Sequence, residues 1–146
     1  MDKNIILQIK SDISEASQIN AVKLWNNNLI NNQDLIKRFP IAFLEIKNIT
    51  FETIALNAQE CNEGSITVHI IYKTLDDEDL NIFDVSQDVF STLQKKGYNR
   101  KTERADYEGG EIIDWQIDFE IPRFKDEASI KDYTLIDKPP IDITDE

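Results

Sequence analysis

Residues 65–77 read SITVHIIYKTLDD, and this stretch decides the fold that we expect for the chain. Successive side chains of a strand point to opposite faces of a sheet, so alternate positions describe one face. Four alternate positions carry bulky and largely apolar side chains: Ile66, Val68, Ile70 and Tyr72. The pattern predicts a central strand whose other, more polar face carries His69. Acidic residues follow, and the helical periodicity after them indicates that the strand leads into a helix.

The chain has one histidine, His69, and one cysteine, Cys61, and both side chains can be reactive. A zinc site needs about four ligands, and the sequence has no second His and no Cys cluster to supply them. Cys61 lies in a polar run over residues 55–65, ALNAQECNEGS, that is typical of a turn. A catalytic Cys–His pair also needs a third group that orients the base, and none stands at a recognisable spacing. We predict a structural His69 and no enzyme activity, with a Cys61–His69 enzyme as an alternative hypothesis.

Apolar periodicity predicts two helices and four strands besides the central one. The helices are expected over residues 3–17 and from residue 82 to Gly97, and the strands over residues 21–26, 41–47, 98–107 and 113–121. Residues 49–56 are ambiguous, either an edge strand or the approach to a hairpin that turns at 62–64, NEG. The order α-β-β-β-α-β-β predicts an α+β fold, with a mostly antiparallel sheet of about five strands packed by two helices.

A single domain is expected over residues 1–122, because a chain of 146 residues can bury one hydrophobic core. Pro122 ends the last predicted strand. The segment 123–146 has few apolar residues and contains Pro139 and Pro140. We interpret this segment as an acidic, extended C-terminal arm.

The acidic run 76–79, DDED, precedes the second predicted helix. An EF-hand loop needs spaced carboxylates, a glycine and a glutamate at its twelfth position, and this run lacks that spacing. Carboxylates at a helix N-terminus offset the positive end of the helix dipole, so we predict capping and no metal site. The four glycines form no phosphate-binding motif, and no cofactor is expected.

The strand over residues 113–121 has one acidic face, which we interpret as a surface for solvent or a partner. General acid–base catalysis needs a shifted pKa, whereas the polar face of an alternating strand is normally solvated. Trp25 shares a face with Lys23 and is a further interface candidate, while Trp115 is expected in the core. The four interface candidates are Trp25, Asp114, Asp118 and Glu120.

The chain is strongly acidic, with 28 Asp and Glu against 16 Lys and Arg and a formal net charge of −12. Nucleic-acid affinity depends largely on Lys and Arg contacts that release counterions, so sequence-specific nucleic-acid binding is not expected. No apolar run approaches the roughly 20 residues that span a bilayer, and residues 1–12 lack the apolar core of a secretory signal. We expect a protein that is made in the cytoplasm and does not enter the membrane.

Five segments of the chain resemble the small tail-terminator and tail-completion proteins (neck, or head–tail joining, proteins) of long-tailed bacteriophages and prophages. They are 21–27, AVKLWNN; 39–46, FPIAFLEI; 65–77, SITVHIIYKTLDD; 81–98, NIFDVSQDVFSTLQKKGY; and 100–121, RKTERADYEGGEIIDWQIDFEI. The resemblance covers residues 20–121, and the acidic arm goes beyond it. It implies an α+β fold and a ring, commonly hexameric, that caps the tail tube or joins it to the connector.

The resemblance also implies a structural protein of the virion, located in the tail or neck and made in the cytoplasm of the bacterial host. Its partners would be copies of itself and the tail-tube or connector proteins, and it would have no catalytic residue. A negative lumen would keep DNA from adhering to such a ring. The alternative is a small acidic adaptor or inhibitor that binds a basic protein partner through the acidic strand face.

Overall fold

The structure is a computed structural model and describes residues 3–26, 39–56, 58–74, 78–107 and 111–125. Within these ranges the chain forms two helices and six strands. The helices are α1 (Lys3–Ser14) and α2 (Asn81–Gln94), and the strands are β1 (Val22–Leu24), β2 (Ile41–Ala55), β3 (Ala58–Lys73), β4 (Asn99–Tyr107), β5 (Ile112–Glu120) and β6 (Phe124–Lys125).

The strands form one sheet in the order β1-β2-β3-β5-β4, with β3 at its centre. β1 runs parallel to β2, and the other neighbouring pairs are antiparallel. β6 pairs with the first part of β3, opposite Glu60 and Cys61. The predicted α+β class and the element order are confirmed, and β6 adds a sixth strand of two residues.

Both helices contribute to the main core, on the face of the sheet that the alternation in β3 predicts to be apolar. Ile66, Val68 and Ile70 are completely buried there. Helical periodicity places apolar residues of each helix on one side, so each helix can bury a single stripe against the sheet. The stripes consist of Ile5, Ile9 and Ile13 in α1 and of Ile82, Val85, Val89 and Leu93 in α2. We call this side of the sheet the helix face.

The opposite side of the sheet, which we call the second face, has a smaller apolar cluster at one end. Ile41, Phe43 and Ile71 form this cluster. Ala21, Trp25 and Phe39 pack against it from the segments that flank β1 and precede β2. Polar side chains occupy the neighbouring positions of the second face, beginning with Thr67 and His69, both of which are buried.

The predicted turn at 62–64 is wrong, because these residues lie inside β3, which pairs with β2 as far as Ala58. A glycine in a strand often marks a close approach of another backbone rather than a turn. A Cβ atom on Gly64 would lie 2.6 Å from the backbone oxygen of Asn48. Cys61, predicted in a turn-like run, is instead a completely buried strand residue.

The start and the end of α2 show part of what the sequence predicts for them. The Oδ1 of Asp79 accepts a hydrogen bond of 2.9 Å from the backbone N–H of Asn81, the first residue of the helix. The N-cap residue itself is Leu80, which makes no side-chain capping bond. Gly97, with a φ of 94°, follows the helix in the left-handed region that glycine adopts without strain. Residues 76–77 and the predicted turn at 108–110 lie outside the described residues.

The first residues after Pro122 belong to the sheet rather than to a separate arm. Phe124 packs against the main core. Arg123 contacts Glu60 and Glu52 of the β2–β3 hairpin through Nη1 and Nη2, at 2.5 and 3.3 Å. The rest of the predicted arm, residues 126–146, lies outside the described residues.

Candidate functional site

His69 lies in the middle of the second face, between a carboxylate from each neighbouring strand. Its Nε2 is 2.6 Å from Oε1 of Glu45 in β2, and its Nδ1 is 3.1 Å from each carboxylate oxygen of Asp114 in β5. Glu45 lies opposite Thr67, and Asp114 lies opposite Ile71. Both carboxylates are therefore diagonal neighbours of His69, close enough for long side chains to touch.

The two ring nitrogens of His69 link the carboxylates of the neighbouring strands. A ring nitrogen that carries a proton donates to the carboxylate that faces it. The two contacts form a polar tie across β2, β3 and β5.

Trp25 covers this tie. Its ring and that of His69 are stacked, with centroids 3.7 Å apart and planes 5° apart. The backbone N–H of Trp25 donates to the oxygen of Leu44 at 2.8 Å, and the indole meets Phe43 edge-on. With Trp25 in place, His69 is 3% exposed.

The polar network continues across β5 to β4. Gln116 is buried, and its Nε2 donates to Oδ2 of Asp114 at 3.0 Å and to Oδ2 of Asp106 at 2.7 Å. The Gln116 amide thus lies between two carboxylates and stabilises both. Together with His69, it gives Asp114 a donor on each side of its carboxylate.

A second polar cluster on the same face has Asp118 at its centre. Thr67 donates to one of its oxygens, and Thr102 and Arg104 donate to the other. Burial alone would raise the pKa of Asp118, but the hydrogen bonds from Thr102, Thr67 and Arg104 outweigh it and lower the pKa. Asp118 therefore ties β3, β4 and β5 together as an ionised carboxylate.

Glu45 shows the same balance at the other end of the network. Burial would raise its pKa, but hydrogen bonds from His69 and from Lys47, whose Nζ lies 3.1 Å from Oε2, lower it overall. The carboxylate that faces His69 is thus held in its charged form.

The arrangement around His69 does not resemble a metal or catalytic centre. Glu45 and Asp114 bind opposite nitrogens of one ring, so these groups do not converge on a common point. No group of three or more His, Cys, Asp or Glu side chains in the described ranges is placed to hold a metal ion. With both nitrogens engaged and Trp25 above the ring, His69 has no free position at which to bind a substrate.

Cys61 and His69 do not form the pair that the enzyme hypothesis requires. They lie eight positions apart on β3, which corresponds to roughly 25 Å of extended chain. Cys61 belongs to the main core on the helix face, whereas His69 lies on the second face. The structure therefore rules out a direct Cys61–His69 dyad within one chain.

The structure corrects the expectation that the acidic face of β5 is solvated. Asp114 is 2% exposed, because its neighbours in β3 and β5 surround it with donors. Asp118 is half-buried, and Glu120 is exposed and lies 3.3 Å from Lys101. Trp25 is half-buried over His69 instead of standing free. The interface role of these four residues stays a prediction.

Sequence reasoning missed the polar network around His69. Glu45 contacts His69, and Gln116 and Asp106 extend the network beyond Asp114. These residues come from three different strands, so their proximity depends on strand order and register. The alternation in residues 41–47 does place Glu45 on one face with Phe43. Only the pairing of Phe43 with His69 shows that this is the face of the histidine. Trp115, expected in the core, is half-buried at its margin and donates to Glu103 at 2.9 Å.

Comparison with known proteins adds no relative: no protein-family model matches the chain, and no curated protein matches its sequence. Neither of the helices in the described ranges is long and apolar enough to cross a membrane. The functional interpretation therefore depends on the surfaces of the structure and on the resemblance carried by the sequence.

Proposed function

We propose that this chain is a structural virion protein, a tail terminator or tail-completion protein that forms a ring at the tail-tube end or head–tail junction of a long-tailed phage. The observation that supports this proposal most directly is the β2–β3 hairpin. Rings are built from heterologous contacts that close on themselves, and a projecting element that reaches a neighbouring subunit is suited to such contacts.

The hairpin extends well past β5, where β6 pairs with Glu60 and Cys61 of β3. β5 pairs with β3 only from Ser65 onward, so the part of β3 that starts at Ala58 runs on for roughly 20 Å beyond it. Near its tip, Ile54 and Leu56 are 44% and 70% exposed. Burial of these exposed apolar side chains against a neighbouring subunit would stabilise an assembly.

The outer part of this hairpin is held by contacts with the residues that follow Pro122. Arg123 binds carboxylates on both of its strands, Glu52 of β2 and Glu60 of β3. Phe124 of β6 lies opposite the buried Cys61 and packs against the core. A rigid projection loses little conformational entropy on binding, which favours assembly.

Assembly can be measured directly. We expect light scattering on a size-exclusion column, followed by negative-stain microscopy, to show a closed ring, most simply a hexamer, at high concentration or with a tail-tube protein of the same phage. Substituting Ile54→Ser and Leu56→Ser together should abolish the ring. Leu7→Ser, at a residue of α1 that is 54% exposed, is the matched control and should leave it intact.

A chain that stays monomeric at every concentration, both alone and with the tail-tube protein, would contradict this proposal. Equal loss of the ring in the Leu7→Ser control would show instead that any exposed apolar residue has the same effect. Enzymatic turnover by a stable monomer would point to a different function altogether.

The second candidate is an acidic adaptor or inhibitor that binds a basic protein. The excess of 28 acidic over 16 basic residues favours it. A salt-sensitive one-to-one complex of a monomeric chain with its partner would support this candidate. Of the acidic residues first assigned to this surface, only Glu120 is exposed, so its charge reversal, Glu120→Lys, is the informative variant.

A further inference from the structure

An exposed aromatic and apolar surface lies where α2 begins, on the helix face of the sheet. Leu80, Phe83 and Tyr107 are 68%, 51% and 78% exposed. Phe83 meets half-buried Trp115 edge-on, with ring centroids 5.4 Å apart. We call Leu80, Phe83, Tyr107 and Trp115 the α2-start patch.

The register of β4 and β5 makes this patch continuous. Tyr107 lies opposite Ile113 and Ala105 lies opposite Trp115, so Tyr107 and Trp115 are diagonal neighbours on the helix face. Leu80 precedes α2, and its backbone oxygen accepts a hydrogen bond from the N–H of Phe83. The side chains thus come from one helix start and two adjacent strands. Monomeric proteins rarely leave such a surface exposed unless it binds something.

The position of the patch suggests which kind of element would cover it. Helices cover the apolar face of a sheet in this class of fold, and α1 and α2 do so for the main core. At the end of the sheet that carries Tyr107 and Ile113, α1 and α2 do not cover Tyr107, which stays largely exposed. An additional helix beside the start of α2 would continue the layer.

The charge around the patch indicates the chemistry of that helix. Glu78 is exposed and Asp79 is half-buried just before α2. Glu103 of β4 accepts a hydrogen bond from Nε1 of Trp115, so a carboxylate also borders the patch on the side of the sheet. Asp84 and Glu111 are exposed, and Lys73 approaches Glu111 only to 3.9 Å. A partner with Lys and Arg beside an apolar stripe would complement this rim.

We propose that the α2-start patch docks a basic amphipathic helix of a partner protein. The apolar stripe of that helix packs on Leu80, Phe83, Tyr107 and Trp115, and its flanking Lys and Arg side chains face the acidic rim. This inference goes beyond both proposed functions, because neither of them assigns this surface.

The test uses a fluorescently labelled synthetic helix of Leu and Lys with one apolar stripe, titrated with the full chain and followed by anisotropy. A scrambled Leu/Lys peptide and a Leu/Glu helix are the probe controls. We expect the amphipathic Leu/Lys helix to bind in physiological salt, and more weakly as salt is added. Phe83→Ser and Tyr107→Ser should each weaken binding about tenfold, as for residues at the centre of an interface.

Leu7→Ser and Leu56→Ser change equally exposed apolar residues elsewhere and should bind the helix like the unaltered chain. The proposal is overturned if the scrambled or Leu/Glu peptide binds as tightly, if the patch variants bind normally, or if no binding is detected. If the chain self-associates and Phe83→Ser dissociates it, the occupant is a second copy and the basic partner is rejected. Circular dichroism verifies that each variant is folded.

Discussion

His69 is important at the residue scale because its two ring nitrogens contact carboxylates of both neighbouring strands. Replacing it with Gln removes these contacts and leaves the buried Asp114 without one of its partners. Leaving a buried polar group without its partner costs about 1–3 kcal/mol, so we expect His69→Gln to lower the free energy of unfolding by about that amount. Urea denaturation of both proteins measures this difference.

A double substitution is the control for this interpretation. Asp114→Asn removes the carboxylate that faces Nδ1 of His69. The loss of stability in the double variant should therefore be smaller than the sum of the two single losses. Strict additivity would mean that His69 and Asp114 contribute independently, against the tie described here.

Asp118 predicts a dependence of stability on pH. Its pKa is lowered below the usual 3.8 in the folded chain, so its contribution to stability is complete above that value and is lost as the pH falls through the folded pKa. Replacing Asp118 with Asn removes this contribution. In urea titrations between about pH 5 and pH 2, the variant should lose less stability than the unaltered chain. Parallel curves for the two proteins would contradict this prediction.

At the scale of elements, the β2–β3 hairpin depends on Gly64. A Cβ at this position would lie 2.6 Å from the oxygen of Asn48 and close to Ile49 and Ile121, so the two strands would have to separate. We expect Gly64→Ala to destabilise the chain by about 2–4 kcal/mol in urea denaturation. Thr53→Ala, at an exposed position of the same hairpin, is the control and should change stability little. An equal effect at both positions would show that the close approach is unimportant.

The elements themselves follow from local patterns in the sequence. The alternation in β5 and the helical periodicity in α1 and α2 are properties of neighbouring residues, so the sequence predicts these elements with nearly correct bounds. The alternation in residues 65–77 predicts β3 as a central strand, but β3 begins seven residues earlier, at Ala58. Gly64 shows where this reasoning fails. Gly64 and the polar residues before it are typical of a turn. In the structure Gly64 instead accommodates a neighbouring strand, and only the pairing with β2 explains this role.

At the scale of the whole molecule, the candidate site could not be predicted, because it depends on strand order. Asp114 is buried although it lies on the polar side of an alternating strand, since β5 is an inner strand with β3 on one side and β4 on the other. His69 and Gln116 are direct neighbours across β3 and β5. Local periodicity places such residues on a face but does not show which faces meet.

The net charge leads to a prediction for the molecule as a whole. Two electrostatic effects oppose each other: salt weakens the surface ion pairs, and it also screens the mutual repulsion of a chain with a charge of −12. Exposed ion pairs such as Lys101–Glu120 contribute little individually. Repulsion among the excess carboxylates is greatest in the compact state, so screening it should have the larger effect.

We therefore expect the free energy of unfolding to rise by about 1–2 kcal/mol as NaCl is increased from about 10 to 150 mM. Urea is the suitable denaturant, because guanidinium chloride would itself screen the charges. Sucrose, which strengthens burial without adding ions, separates screening from a general effect of solutes. A decrease of stability with NaCl would mean that the ion pairs across the sheet, and not the excess negative charge, dominate the electrostatics of the fold.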